Sequence, residues 1–499
     1  MLLLGIDIGT SSVKVSVVDA DTQQSIISAQ YPDTEAEIIS LQNGWAEQNP
    51  DTWWEYFQHA LWEANVSGKY DPKDIAAIGI AYQMHGLVVV NKLQLSLRNS
   101  IIWCDSRAVP YGDKAFQAIG EEKCLSCLLN SPGNFTASKL AWLKENEPET
   151  FKQIYKIMLP GDFIAMRLTG EITTTPSALS EGILWDFEKD ELSKDVMQFF
   201  KFKSNLIPTV KDVLSTHGFL KDEVADKLGL KHGIPVSYKA GDQLNNALSL
   251  NVMQPGEVAA TAGTSGVIYA VADGLAYDKQ SRVNSFAHIN HTKNKKRIGV
   301  LLCINGTGIM NSWVKKFIGT NKTYKQLNDE AALIPAGSDG LLVLPFGNGA
   351  ERMLNNELIG SSVVNIDLNK HTPAHLYRAA QEGIAYAFRY GLDIMRENNI
   401  EPKLIRAGKA NMFLSDVFID AFVNVTNVPV ELYENDGSVG AALGAGIGAK
   451  IFDDEKAAFQ NMKRLKLIEP NGKHEYDKSY EKWMHSLNKE LDKPQSNTE

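Results

Sequence analysis

The sequence predicts an α/β protein built from two related lobes with a cleft between them. Three observations carry this prediction. At 499 residues the chain exceeds one compact domain. Short apolar runs bounded by Gly, Ser, Thr and Asn alternate with longer segments of helical period. GTSSVKVSVV at 9–18 is echoed by GTSGVIYAVA at 263–272, about half a chain later. Each is a Gly/Thr/Ser turn running into an apolar strand, so each opens a similar unit. The period puts the boundary near residue 250: a first lobe over 1–250, a second over 251–455 and a helical tail over 456–499.

The elements follow in order. LLLGIDI at 2–8 and VKVSVVD at 13–19 form a hairpin around Gly9-Thr10-Ser11-Ser12. Asn49-Pro50 starts a helix, with Asn as N-cap and Pro as the first helical residue; its aromatic residues are Trp53, Trp54, Phe57 and Trp62. Ile75–Ala81 is a strand leading into Tyr82-Gln83-Met84-His85-Gly86, and Ser138–Glu147 is a helix stopped by Pro148. Pro235–Ala240 is a strand ending on Gly241-Asp242, with a helix starting at Asn245–Leu250. The second unit has strands Val258–Ala262 and Val267–Val271 around Gly263-Thr264-Ser265-Gly266. Next come strand Leu341–Leu344, helix Ala374–Asn398, strand Lys403–Arg406 and helix Leu414–Thr426. GSVGAALGAGIGA at 437–449 places Gly440, Gly444 and Gly448 at helical spacing, which favours close packing over ligand contact. The tail from Lys489 is polar and expected to fray.

Composition removes several functions. Fifty Lys+Arg against 60 Asp+Glu give a net charge of −10, unsuited to nucleic acid. The densest basic patch, Lys293–Arg297, reads as a solvated loop. No run reaches the roughly 18 apolar residues of a membrane span; Ile298–Val314 is broken by Asn305, Gly306, Gly308, Asn311 and Ser312. The N-terminus meets Asp7 at once and does not read as a signal peptide. Four cysteines form no disulfide framework, which implies a cytoplasmic setting. Cys124 and Cys127 are half a zinc site at best, and His371 and His375 read as a helix-surface pair.

The turns carry the chemistry. A Gly/Thr/Ser turn gathers backbone N–H groups and hydroxyls into one concavity, a cradle for phosphate. Asp7 beside such a cradle would repel phosphate unless a hard cation bridged them, and Mg²⁺ is that cation; Asp7 reads equally as a turn cap. Asp242, at a strand end, is the candidate general base, with a helix N-cap as its alternative. Met84 and His85 also end a strand; alone, His85 reads as a hydrogen-bonded core histidine. No Walker A loop, protein-kinase triplet or Rossmann fingerprint is present.

These segments, in this order, resemble the FGGY family of carbohydrate kinases, over about residues 2–450. The matching stretches include GIDIGTSSVKVSVVD at 5–19, WAEQNPDTWW at 45–54, IGIAYQMHG at 78–86, LPGDFIAMRLTGE at 159–171, AGDQLNNAL at 240–248 and AGTSGVIYAV at 262–271. QMHG and the segment 133–171 are similar to the branch that phosphorylates xylulose. The resemblance implies two ribonuclease-H-like lobes of the actin-like ATPase type around a cleft. Sugar would lie mainly on the first lobe and ATP mainly on the second.

Residue by residue, the resemblance makes Asp242 the catalytic base and Asp7 the carboxylate near Mg²⁺. Met84, His85, Asp242 and Gln243 would hold the sugar. Thr10, Ser11, Ser12 and Lys14 match the first phosphate loop and Thr264 the second. Gly408, with Asn411 nearby, would lie along the adenosine. Three departures stand out: only Gly241 precedes the base, with Gln243 for Asn after it; Ala407-Gly408-Lys409 replaces a glycine run; and Gly161 stands where a Lys is usual. The expected activity is ATP-dependent phosphorylation of a ketopentose, D-xylulose to D-xylulose 5-phosphate. Alternatives are another sugar or polyol kinase acting on ribulose, a ketohexose, glycerol or gluconate, a non-catalytic sugar sensor, and an actin-like ATPase. The expected partners are the sugar and ATP, without nucleic acid or membrane; a homodimer is left open.

Overall fold

A computed structural model of the chain describes residues 1–472 and 474–493. Two sheets dominate, one from each half. The first has six strands in the order 218–219, 235–241, 75–82, 2–8, 13–19, 25–31. Leu2–Ile8 pairs antiparallel with Val13–Asp19 and parallel with Ile75–Tyr82, which pairs parallel with Pro235–Gly241. The second has seven strands in the order 284–287, 297–304, 266–273, 257–262, 404–408, 430–433, 464–468. Glu257–Ala262 again pairs antiparallel with the next strand, Gly266–Asp273, and parallel with Leu404–Gly408, which pairs parallel with Val430–Tyr433. Three antiparallel strands continued by two parallel ones therefore occur twice, so the echoed turns do mark two like lobes.

Register decides where the strands deliver their ends. Asp7 lies level with Ala81, and Ala81 level with Ala240. One residue on, Ile8, Tyr82 and Gly241 are level. Three parallel strands thus stop together, and the residues after them converge at their carboxyl ends, where open α/β sheets bind ligands.

Helix Gly437–Gly448, which belongs to the second half in sequence, packs on the first sheet. A Cβ on Gly5 would stand 1.7 Å from Ser438 O, and one on Gly79 2.0 Å from Ala441 O. From the helix side, Gly440 abuts Ser249, Gly444 abuts Tyr238 and Gly448 abuts Ser237. The small-residue spacing is therefore a packing device, as expected. Gly79→Ala drives a methyl into backbone with no room to yield. Such overpacking costs about 1–3 kcal/mol or more, so the midpoint of thermal unfolding falls; an unchanged midpoint would mean that the helix does not pack this closely.

Most expected elements form. Asn49 accepts a 3.0 Å hydrogen bond from Asp51 N and caps Pro50–Val66; Trp53, Trp54 and Phe57 are buried, while Trp62 faces solvent. Other boundaries differ for local reasons. The helix after Pro235–Gly241 begins at Asp242, not Asn245. Pro148 ends one helix and opens the next, Pro148–Gln153, because proline suits a first helical turn. The histidines are not a helix-surface pair: His371 precedes helix Pro373–Glu397, and His375 is buried, its Nδ1 accepting from Thr372 N at 3.2 Å to cap that helix. Cys124 and Cys127 are both buried and unpaired. Within Lys293–Arg297, residues 293–295 form an exposed turn closed by Thr292 and Lys295, while Arg297 opens strand 297–304. The last helix runs His474–Leu491, so the expected fraying does not begin at Lys489; 494–499 lie outside the described residues. Among the described residues no helix is long and apolar enough to cross a membrane.

Candidate active site

The first turn stands at the end of Leu2–Ile8. Gly9 N donates to Ser12 O at 3.0 Å and closes it. The Thr10 hydroxyl is already engaged: it accepts from Trp103 Nε1 at 2.9 Å and donates to Gln83 Oε1 at 3.3 Å. Gln48 Nε2 donates to Thr10 O at 2.7 Å. Thr10 therefore braces the turn, while Ser11 is exposed and Ser12 partly so. Lys14 forms an ion pair with Asp436.

Asp436 was not legible in the sequence, yet it completes an acidic cluster. It caps helix 437–448, accepting from Ser438 N at 3.0 Å and Ser438 Oγ at 2.7 Å. Gly437 packs so closely on Asp7 that a Cβ there would stand 2.2 Å from Asp7 Oδ2. Asn245 Nδ2 donates to Gly437 O at 2.8 Å, tying helix Asp242–Ser249 to the same corner. Burial, and then the charge of Asp436, raise the Asp7 carboxyl to about 6 against the pull of Lys14. Burial, and then the charge of Asp7, raise Asp242 to about 7, with hydrogen bonds from Gln243 pulling the other way. Asp242 is the first helical residue rather than the N-cap, which is Gly241. Gln243 Oε1 is buried without a protein hydrogen-bond partner.

The donors here are hard oxygens under mutual repulsion, which suits Mg²⁺ held largely through water and phosphate. Among the described residues no group of three or more His, Cys, Asp or Glu is placed to cage a metal by protein alone.

Met84 and His85 leave the neighbouring strand. His85 has φ 61°, a left-handed conformation uncommon outside glycine. Glu181 holds it there: His85 N donates to Glu181 Oε2 at 3.1 Å, and Tyr82 OH donates to Oε1 at 2.7 Å. His85 Nδ1 lies 3.1 Å from Glu181 O. A carbonyl only accepts, so the ring proton sits on Nδ1 and Nε2 is left as an acceptor. Burial, then the Lys139 ammonium, lower the imidazole to about 3, and burial raises Glu181 to about 8. Both are neutral at pH 7. Phe135 packs edge-on against His85 at 4.8 Å, and Phe286 crosses from the second lobe to within 5.5 Å of it.

Glycine is required at two places in this wall. A Cβ on Gly241 would lie 2.5 Å from Met84 Cγ, and one on Gly161 would lie 2.1 Å from the Tyr82 ring. Tyr82 thus occupies the room of the side chain missing at 161. Asp162 is instead paired with Lys239 at 2.5 Å, wholly buried.

The second turn opens a cavity of about 480 Å³, with Gly263 and Thr264 on one side and Asn411, Met412 and Ser415 on another. Thr264 and Asn411 therefore line the same cavity. Gly408 does not line this cavity; it faces Asn435, which donates to Asn246 Oδ1 at 2.8 Å. Gln381, which local sequence did not flag, forms part of the cavity lining, donating to Asn328 Oδ1 at 2.9 Å and accepting from Ser415 Oγ at 2.7 Å. Ala407 lies inside strand Leu404–Gly408, wholly buried, and adds no methyl to the cavity.

Comparison with known proteins gives a consistent picture. Residues 2–249 match the N-terminal domain, and 258–449 the C-terminal domain, of the FGGY family of carbohydrate kinases. The xylulose kinase of Bacillus subtilis (strain 168) is 28% identical over 485 residues, covering 95% of this chain and 93% of that protein. A solved xyloylose kinase from Brucella ovis superposes with a TM-score of 0.89 at 25% identity, over 98% of this chain and 99% of that one. A gluconate kinase from Lactobacillus acidophilus superposes equally well, with a TM-score of 0.89 at 22% identity and 98% coverage of both chains.

Proposed function

The chain belongs to the FGGY family of carbohydrate kinases, and from that premise we propose that it transfers the γ-phosphoryl group of ATP to a ketopentose, converting D-xylulose to D-xylulose 5-phosphate. The observation that carries this reading is the pairing, at one set of strand ends, of a carboxyl raised to about 7 with a neutral histidine that presents an acceptor. A base with its pKa near the working pH is best placed to take a proton from a hydroxyl. The orphaned Gln243 Oε1, one residue on, offers a further partner to a sugar hydroxyl.

In this reading Met84, His85, Asp242 and Gln243 hold the sugar on the lobe assigned to 1–250. Thr264, Asn411 and the cavity around them hold the nucleotide on the lobe assigned to 251–455; Gly408 lies outside that cavity. Helix 437–448 is the exception, since it packs on the first sheet. Asp242 takes the proton as the sugar oxygen attacks phosphorus in line. Ser11 and Ser12 on the first turn, Lys14 on the strand after it, and Thr264 on the second turn meet phosphate oxygens. Asp7 and Asp436 are the residues that would hold Mg²⁺, which would neutralise phosphate charge. Water is kept from the sugar by the wall of Phe135 and Phe286.

A coupled ADP-release assay across D-xylulose, D-ribulose, gluconate and glycerol tests the substrate. The highest kcat/KM is expected with D-xylulose; a preference for gluconate or glycerol overturns the ketopentose assignment and leaves the kinase class.

A further inference from the structure

One charged group that bonds to residues of both halves has no role in the scheme above. Arg352 follows Glu351, whose carboxylate accepts from Asn305 N at 3.0 Å and Gly306 N at 3.2 Å. That segment leans on the second phosphate turn, where Gly308 N donates to Gly263 O at 2.8 Å. The side chain then reaches across to the first lobe. Its Nε donates to Ser281 O at 2.8 Å, and its Nη2 to Ser281 Oγ at 3.1 Å and Ser131 Oγ at 3.2 Å. Ser131 adjoins Asn130, whose amide brackets Ser285 with bonds of 2.6 and 2.8 Å. The residue after Ser285 is Phe286, which packs on His85. The guanidinium is thus braced from the phosphate turn on one side and from the sugar wall on the other. Its charge is felt by the His85 ring and by the Cys303 thiol, and that thiol also feels Asp242.

No carboxylate pairs with it directly, although the charge of Asp278 is felt by the guanidinium. Among the described residues no carboxylate lies within ion-pair distance of Arg352, and Nη1 takes part in none of its three bonds. Burial pushes the guanidinium down to about 10, so it stays cationic at neutral pH. Arg352 is half-buried, and a partly desolvated cation without a bonded anion is an anion-binding group in waiting. The kinase reaction would supply the missing anion at this place.

We propose that Arg352 is a catalytic residue that grips the phosphoryl group in transit and then the phosphate of the sugar-phosphate product. This rests on the kinase reading above. As the sugar hydroxyl gives its proton to Asp242, its oxygen bonds to the γ-phosphorus. The bond from that phosphorus to the bridging oxygen breaks, and its electron pair leaves with ADP. Charge spreads over the three peripheral oxygens, which a guanidinium fork can meet with two parallel N–H donors.

The test combines calorimetry and kinetics on the full chain. Arg352→Ala should weaken binding of D-xylulose 5-phosphate and of inorganic phosphate at least tenfold, with D-xylulose affinity within threefold of wild type. Turnover should fall on the order of 10²–10³-fold, and added guanidinium should restore part of it. Arg352→Gln, whose amide stands where Nε does and can still donate to Ser281 O, must show the same loss, and covers the case in which the alanine variant fails to fold. A Ser131→Ala/Ser281→Ala double variant should bind and turn over within threefold of wild type. Product binding unchanged in the arginine variants overturns the proposal. So does a serine pair that reproduces their loss, since Arg352 would then only latch the lobes. If the wild type leaves D-xylulose unphosphorylated, the substrate reading fails by itself, and the inorganic-phosphate arm still decides whether Arg352 binds the anion.

Discussion

Asp242→Asn will lower turnover by about 10²–10⁴-fold, the usual cost of deleting a general base, while ATP binding and the fold survive. The substitution is isosteric and removes one charge. It sits at the first position of helix 242–249, where the N-cap role belongs to Gly241, so no helix cap is lost. The wild-type pH profile gives an independent check. Asp242 is raised to about 7, mainly by burial, and only its ionised form accepts a proton. kcat/KM for the sugar should therefore fall about tenfold per pH unit below roughly 7 and level off above it. The Asn variant should lose that limb. Near-normal turnover in the variant would remove Asp242 from the chemistry.

Asp7→Asn should separate stability from activity. In the folded protein Asp7 is raised from 3.8 to about 6 by burial and by Asp436. A raised carboxyl stabilises the folded state only while protonated. The penalty is absent below pH 3.8 and complete above about 6, where it reaches on the order of 3 kcal/mol. The neutral variant escapes it, so it should melt later than wild type at pH 8, with the advantage shrinking by pH 5. Turnover should nonetheless drop about 10²-fold, with a higher Mg²⁺ requirement, because a carboxylate that orients the metal is gone. Equal melting at pH 8 would show that Asp7 is not under electrostatic strain. Unchanged metal dependence would show that it has no part in metal binding.

Sequence reasoning reaches those parts of the candidate site that local pattern encodes. Asp7, His85, Asp242 and Thr264 each end a strand beside glycine or hydroxyl residues, and a strand end is visible in a dozen residues. The missing parts arrive through distant pairings. Asp436 looks like a helix cap and is one; it reaches Asp7 only because a helix from the far half lands on the first sheet. Glu181 and Phe286 come to His85 from two separate segments, and nothing in their own neighbourhoods reports it. Ala407 stands in place of a glycine run, just past the strand that local pattern ends at Arg406. The strand instead runs through residue 408 and hides the methyl. The start of helix 242–249 was placed three residues late because Asp242 and Gln243 break the apolar pattern at the helix's first turn.

The landing of 437–448 on the first sheet bears on biosynthesis. The ribosome releases strands 2–8, 13–19, 75–82 and 235–241 long before the helix that roofs them. Through most of synthesis the glycine-floored face around Gly5 and Gly79 stands open to other chains. Only when translation passes residue 448 can the amino-terminal unit close, so the two halves mature together rather than in succession.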